Sequence, residues 1–247
     1  DMGAEIGRTL TIEDSLQGML KKCCQSLVDH LNAAFARIWL LDHYEKVLEL
    51  KASAGIYTHI DGKRSRIPIG ENTKIAHIAL HGKSHLTNSV VGDPQVLDQD
   101  WVKQEGLVAF AGQPLIIDNK VIGVLAMFSC SVLSEVVMKA LASIANEMAV
   151  GIQRKTSEET LKTSRDSFTA VLDSLEAVVY VADMNTHELL YLNRYGKKIF
   201  GNIEGKLCYK TLQTNQSSPC SFCTNSQLLL PDGKPAWVVH WEIQNTL

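Results

Sequence analysis

Three of the chain's six cysteines, Cys208, Cys220 and Cys223, fall within sixteen residues, the last two as a C-x2-C pair. Thiolates at that spacing are a natural bite for two ligands on one tight turn, which makes the loop a candidate for zinc or iron. A structural centre takes four ligands, and the fourth would have to be His187, His240 or an outside group. The alternative is three reduced thiols, or a Cys220–Cys223 disulfide that only pins the loop. Cys23, Cys24 and Cys130 are scattered, and six cysteines in 247 residues are too sparse for a secreted disulfide scaffold.

Two further sets of residues carry chemistry. His77 and His81 stand four apart on a predicted helix, with His85 four further on. An i,i+4 pair can chelate a metal or haem from one helix face. Gly82 breaks that helix and turns His85 elsewhere, and surface histidines favoured by a helix C-terminus are the simpler account. Arg37, Trp39 and Leu41 alternate along a predicted strand with Ala36, Ile38 and Leu40. The apolar face belongs on a helix layer, while the mixed face can line a pocket roofed by the Ile75–Leu80 helix and the Trp101 segment. The expected lining is Arg37, Trp39, Ile75, Ile78, Trp101 and Met127, around an unidentified small molecule. The competing reading is a filled core with a snorkelling Arg37. Hydrolase and nucleotide chemistry lack their signatures, since neither a G-x-S-x-G elbow nor a G-x-x-x-x-G-K-[ST] loop occurs.

The elements that must position these residues follow from spacing. Thr11–Asp14 reads as a capping box before a helix with Ile12, Leu16, Leu20, Cys23, Leu27 and Leu31 on one face. Ala36–Asp42 and Val47–Ala54 read as one hairpin, and Leu107–Ile117 and Val121–Cys130 as another around Asp118-Asn-Lys120. Near-continuous apolarity over Val121–Phe128 requires cover on both faces of that strand. A helix is expected over Asn72–Leu80, ending at Gly82, a short strand over His85–Val90, and an acidic loop over Gly92–Glu105. From Ser134 to about Leu175 there is no proline, and two apolar stripes (Leu141, Met148, Ile152 and then Leu161, Phe168, Leu172, Leu175) flank the polar Gln153–Thr160. That pattern predicts a solvated linker helix, braced by Glu158 and Lys162. Beyond it, Val178–Ala182 and Leu189–Leu192 read as strands, Arg194–Phe200 as a helix, and Trp237–Ile243 as a third strand.

Composition bounds the rest. With 45% hydrophobic and 21% charged residues the chain is globular, and a net charge of −3 excludes the basic field of a nucleic-acid binder. No apolar run approaches the ~20 residues of a membrane span, and the N-terminus does not read as a signal peptide. A cytoplasmic location is the expectation.

The order FARIWLLD, VLELKASAG, IPIGENTKIAHIALHGKSHLTNSV, GDPQV and LIIDNKVIGVLAMFS, framed by helices, resembles a GAF domain. Residues 165–247, with SFTAVLDSLEAVVYVADMNTHELLYLNRYGKKIFG and GKLCYKTLQTNQSSPCSFCTN, resemble the start of a cysteine-containing PAS domain. The resemblance implies an α/β protein of the α+β type: a GAF-like antiparallel sheet with helices over 10–152, a helical linker over 153–164, and a PAS-like antiparallel sheet over 165–247, truncated at its C-terminus. It implies a sensory region of a bacterial signal-transduction protein; missing catalytic motifs make it non-enzymatic, and the long linker with its broken apolar stripe points to a dimer through the N-terminal and linker helices. Its output would be a histidine kinase or diguanylate cyclase domain further along the same chain. The other reading is an assembly module with no ligand. Family ligands that leave a mark are absent: no Cys is followed by His, as covalent bilin would need, and neither the NKFDE-type signature nor the Asn-Cys-Arg-Phe-Leu run occurs.

Overall fold

Alternating apolar runs form six strands: β1 (Phe35–Asp42), β2 (Val47–Gly55), β3 (Arg66–Pro68), β4 (His85–Thr87), β5 (Ala109–Ile117) and β6 (Lys120–Ser129). They make one antiparallel sheet in the order β3-β2-β1-β6-β5-β4. The β5–β6 hairpin turns on Asp118 and Asn119, both at positive φ, the twist that a two-residue connection between right-twisted strands requires. This is a computed structural model, and it describes residues 2–13, 15–62, 64–96, 98–213, 216–221, 223, 225, 228, 230 and 234. The chain divides into two units, Asp1–Glu159 and Thr160–Leu247.

Five helices complete the first unit: α1 (Met2–Ile12), α2 (Leu16–Leu31), α3 (Lys74–His81), α4 (Gln99–Gln104) and α5 (Glu135–Ser174), which runs on into the second. Residues of α1, α2 and the first half of α5 share one core with Ala36 and Ile38 of β1 and Leu125 and Met127 of β6. The opposite parity of the same strands, with Phe35, Trp39, Val124 and Ala126, joins α3 and α4 in a second core. β6 is therefore covered on both faces, as its continuous apolarity demands. Gly123 lies where β6 meets β1 most closely; a Cβ there would stand 2.3 Å from the Trp39 carbonyl oxygen.

Several boundaries differ from expectation. Thr11 does not cap α2. It lies inside α1, where its hydroxyl donates to the Gly7 carbonyl, and Ser15 is the N-cap, accepting from the Gly18 N–H. The acidic segment contains α4, started by Asp98, whose carboxylate accepts from the Trp101 N–H. Thr73 caps α3, and Gly82 ends it in the left-handed conformation, φ 60°. α5 is one unbroken helix of 40 residues. Glu158 turns back to Lys155 (3.2 Å) and Arg154 (3.7 Å) instead of forward to Lys162.

The second unit shows β7 (Tyr180–Ala182) paired antiparallel with β8 (Leu189–Leu192), followed by α6 (Arg194–Phe200) and α7 (Cys208–Thr211). Leu189, Leu192 and Ile203 form its small core. Fully buried Asn193 organises it: the side-chain amide donates to the carbonyls of Leu172 and Ala177 (2.9 Å each) and accepts from the N–H groups of Val179 and Gly196 (3.0 Å each). The expected strand Trp237–Ile243 lies outside the described residues.

Candidate functional site

On the sheet face away from α1 and α2 lies a cavity of about 260 Å³. Odd-numbered residues of β1 project onto that face by the two-residue period of a strand, so Phe35, Arg37 and Trp39 form its floor. Phe110 and Phe128 come from β5 and β6, Thr73–Ile75 from the start of α3, Trp101 from α4, and Tyr57 from the β2–β3 connection. The rings order one another. Phe35 stacks on Phe128 at 5.0 Å, and Phe110 meets Phe128 edge-on at 5.0 Å. Each such contact contributes about 0.5–1.5 kcal/mol beyond its buried area. Trp101 donates through Nε1 to the Tyr57 hydroxyl (2.7 Å), which donates to Glu105 (2.8 Å), tying α4 to the β2–β3 connection. Burial first, then the Glu105 carboxylate, raises the Tyr57 phenol against the opposing Trp101 N–H, so it stays protonated as the donor.

The charges facing this cavity are unequal in their pairing. Lys74, only 4% exposed, holds Asp93 in an ion pair and points Nζ at His85 Nε2, 3.1 Å away. Burial, then the Lys74 charge, lowers His85, so its neutral ring accepts from the ammonium. Burial alone would raise the Asp93 carboxyl, yet the Lys74 hydrogen bond and charge with the Gln95 N–H hold it below its ordinary value. Arg64 is matched by Glu71 at 2.8 Å. Arg37 has no such partner: among the described residues no carboxylate reaches it. Its Nε donates to Ser53 Oγ (3.2 Å), and its Cζ lies 5.2 Å from the Phe35 ring and 5.8 Å from that of Tyr57. Burial lowers its pKa, but a guanidinium remains charged in any protein environment.

Of the lining expected from sequence, Arg37, Trp39, Ile75 and Trp101 meet around the cavity. Ile78 belongs to the same core but packs toward Gly112 of β5. Met127 must be corrected. It is buried in the helix-side core, because its neighbours Ala126 and Phe128 take the cavity parity of β6. Phe35, Phe128, Tyr57, Phe110 and Lys74 were not expected. Phe35 is readable from strand parity, two residues before Arg37, whereas on β6 the expected Met127 pointed to the other parity and hid Phe128. Tyr57 and Lys74 carry no local signal.

The remaining candidates do not assemble. His77 and His81 are exposed with rings 5.5 Å apart, while His85 faces Lys74. Cys208, Cys220 and Cys223 are free, half-buried thiols close enough that burial first, and the charges of the other two next, raise Cys208. Among the described residues no three His, Cys, Asp or Glu side chains converge to hold a metal ion. His187 contacts Tyr209 and Asn225 instead, and His240 lies outside the described residues. Cys23 and Cys24 are buried in the helix-side core, and burial pushes the Cys23 thiol up to about 12. No helix among the described residues is long and apolar enough to cross a membrane.

Comparison with known proteins follows this geometry. The fold is similar to the GAF domain from an Acinetobacter phosphoenolpyruvate-protein phosphotransferase (17% identity over 65% of this chain and 96% of that one, TM-score 0.56). It is similar to residues 122 to 287 of a methyl-accepting chemotaxis protein (18% identity, 61% and 96%, TM-score 0.51). It is similar, too, to the free methionine-R-sulfoxide reductase of Neisseria meningitidis in complex with its substrate (17% identity, 62% and 87%, TM-score 0.53). At these identities the likeness is one of fold alone. No curated protein matches the chain. The family model for the GAF domain, however, matches residues 13–153. That match covers more than half of the sequence and takes in every strand of the six-stranded sheet, so the chain belongs to the GAF domain family.

Proposed function

We propose that this chain is a sensory region of a bacterial signal-transduction protein, and that its first unit binds a small ligand in the aromatic cavity. GAF domain homologues are sensory or regulatory modules in signalling proteins. The observation that carries the reading is the cavity itself: about 260 Å³ bounded by aromatic rings, with one uncompensated cation in its floor. A scaffold with no ligand would gain by filling that space. The proposal includes signal transfer through α5 to a PAS-like second unit and a kinase or cyclase output domain, in a cytoplasmic protein. It is a binding role and not a catalytic one. A sulfoxide reductase needs a reducing group at its substrate, and among the described residues that line this cavity there is no cysteine.

Thermal-shift screening of the full chain against a metabolite library tests the reading, with Ile75→Phe as a cavity-filled control. Hits that stabilise the wild type and vanish in the control support it. A library without any hit, together with a control more stable than wild type, favours the assembly module. Homodimerisation is supported by Leu161, Phe168 and Val171, which stand exposed on the second half of α5. In the predicted N-terminal helix, α2, the side chains Leu20, Cys23 and Leu27 are buried in their own unit, so the dimer reading leans on the second half of α5. Light scattering that finds only monomer at micromolar concentration would remove the dimer.

A further inference from the structure

We infer that the cavity is built for a planar aromatic monocarboxylate anchored by Arg37; this deepens the sensory reading and rests on it. Charge comes first. Among the described residues facing the cavity, Lys74 is matched by Asp93 and Arg64 by Glu71, while His59 is exposed at the rim. Asp98 is exposed at the rim as well, and its carboxylate is committed to the Trp101 N–H. One unit of positive charge, on Arg37, is left facing an apolar space. A single anion neutralises it, whereas a phosphate dianion would bring a second charge with no partner.

Geometry comes next. Arg37 spends only Nε, on Ser53, and makes no other hydrogen bond among the described residues. Ser53 is itself fixed, donating to the Tyr57 carbonyl at 2.6 Å, and the Phe35 and Tyr57 rings flank the guanidinium. The two terminal nitrogens of a guanidinium held this way present the parallel N–H pair that a carboxylate accepts bidentately. Beyond the guanidinium, Phe128, Phe110 and Trp101 offer faces and edges to a ring.

Size closes the argument. A cavity of 150 Å³ holds benzene, about 25 Å³ for each carbon, so 260 Å³ takes roughly ten non-hydrogen atoms. That is the size of benzoate or phenylacetate, and far below a nucleotide. An α-amino acid is disfavoured, because its ammonium would be buried with no interior carboxylate left to receive it.

Isothermal titration of the full chain with benzoate, phenylacetate and 3-phenylpropionate tests the inference, against benzamide, phenylacetamide, cyclohexanecarboxylate and L-phenylalanine. The expected result is that at least one aromatic acid binds roughly tenfold to a hundredfold tighter than its amide. Arg37→Met should erase that preference by costing the acid more than the amide, and Arg37→Lys should restore only part of it. The acid–amide comparison on the wild type needs no variant, so misfolding of either variant leaves the test standing. Amides that bind as well as acids, cyclohexanecarboxylate that matches benzoate, or L-phenylalanine tighter than 3-phenylpropionate would each overturn the ligand class. If no panel member binds but library hits are lost in Ile75→Phe, the class is wrong and the sensory reading survives. If neither panel nor library binds, both fall.

Discussion

Replacing Lys74 with methionine isolates what the buried ion pair at the cavity wall contributes. Methionine keeps the length and apolar stem of lysine and deletes the ammonium, with its ion pair to Asp93 and its hydrogen bond to His85, so packing is nearly conserved. The carboxylate of Asp93, 18% exposed, then loses its counter-ion and keeps only the Gln95 N–H at 2.9 Å. Removing one partner of a buried pair typically costs 3–5 kcal/mol. The partial exposure of Asp93 and its surviving hydrogen bond place this case lower, at about 2–3 kcal/mol, or about 4–12 °C in melting temperature for a unit of this size. The paired change Lys74→Met/Asp93→Asn should recover much of the loss, because asparagine still accepts from Gln95 and no unpaired charge remains. The coupling energy from the double-mutant cycle should be about 1.5–2 kcal/mol. Urea denaturation of the full chain and its variants, followed by far-UV circular dichroism, measures all three values. A Lys74→Met cost under about 0.5 kcal/mol, or additivity in the cycle, would refute the argument that the pair is desolvated and coupled.

Acidification should weaken the first unit in two stages. His85 is depressed in the folded state, chiefly by burial, so the unfolded chain takes up its proton first and stability falls as pH drops below 6.5 toward the folded value. Asp93 is also depressed, so its contribution is full above 3.8 and lost as pH falls through its lower folded value. A urea midpoint that is flat between neutral pH and about pH 5 would contradict the His85 assignment; in Lys74→Met the first stage should shrink, since the Lys74 charge is the second cause. In the second unit, Asn193→Ala strips partners from the backbone groups of Leu172, Ala177, Val179 and Gly196 at once. At about 1–3 kcal/mol for each group left buried and unsatisfied, it should open residues 172–200 to limited proteolysis while the first unit stays resistant. Unchanged protection there would show that the amide is replaceable by water.

How far local pattern carried depended on the length of the element. β1, β2, β5 and β6 were readable because each runs for eight residues or more with parity set by burial, and α5 because nothing in it breaks a helix. The short pieces were hidden. β3 has three residues and exists through its pairing with Val47–Glu49, while α4 has six, behind Pro94 in an acidic stretch. Its one local signal was Asp98, an N-cap type placed just before it. Ser15 and Thr11 are both capping residues, and only the packing of α1 decides which one starts α2. At the site, Arg37 and Trp39 follow from strand alternation, and the same rule excludes Met127 once Phe128 is placed. The Tyr57–Trp101–Glu105 chain spans up to 48 positions in sequence, and no periodicity reports a contact of that range.

Because β1 alternates, it carries both walls of the first unit on a single strand. Arg37 stands in the cavity floor, and its covalent neighbours Ala36 and Ile38 are embedded in the core that also holds Met148 and Ile152 of α5. Only the thickness of one peptide backbone separates the two, and the Arg37 charge is felt by Cys24 on the far wall. The cavity floor and the core that holds the buried half of α5 are therefore joined through β1 itself, without any loop as intermediary.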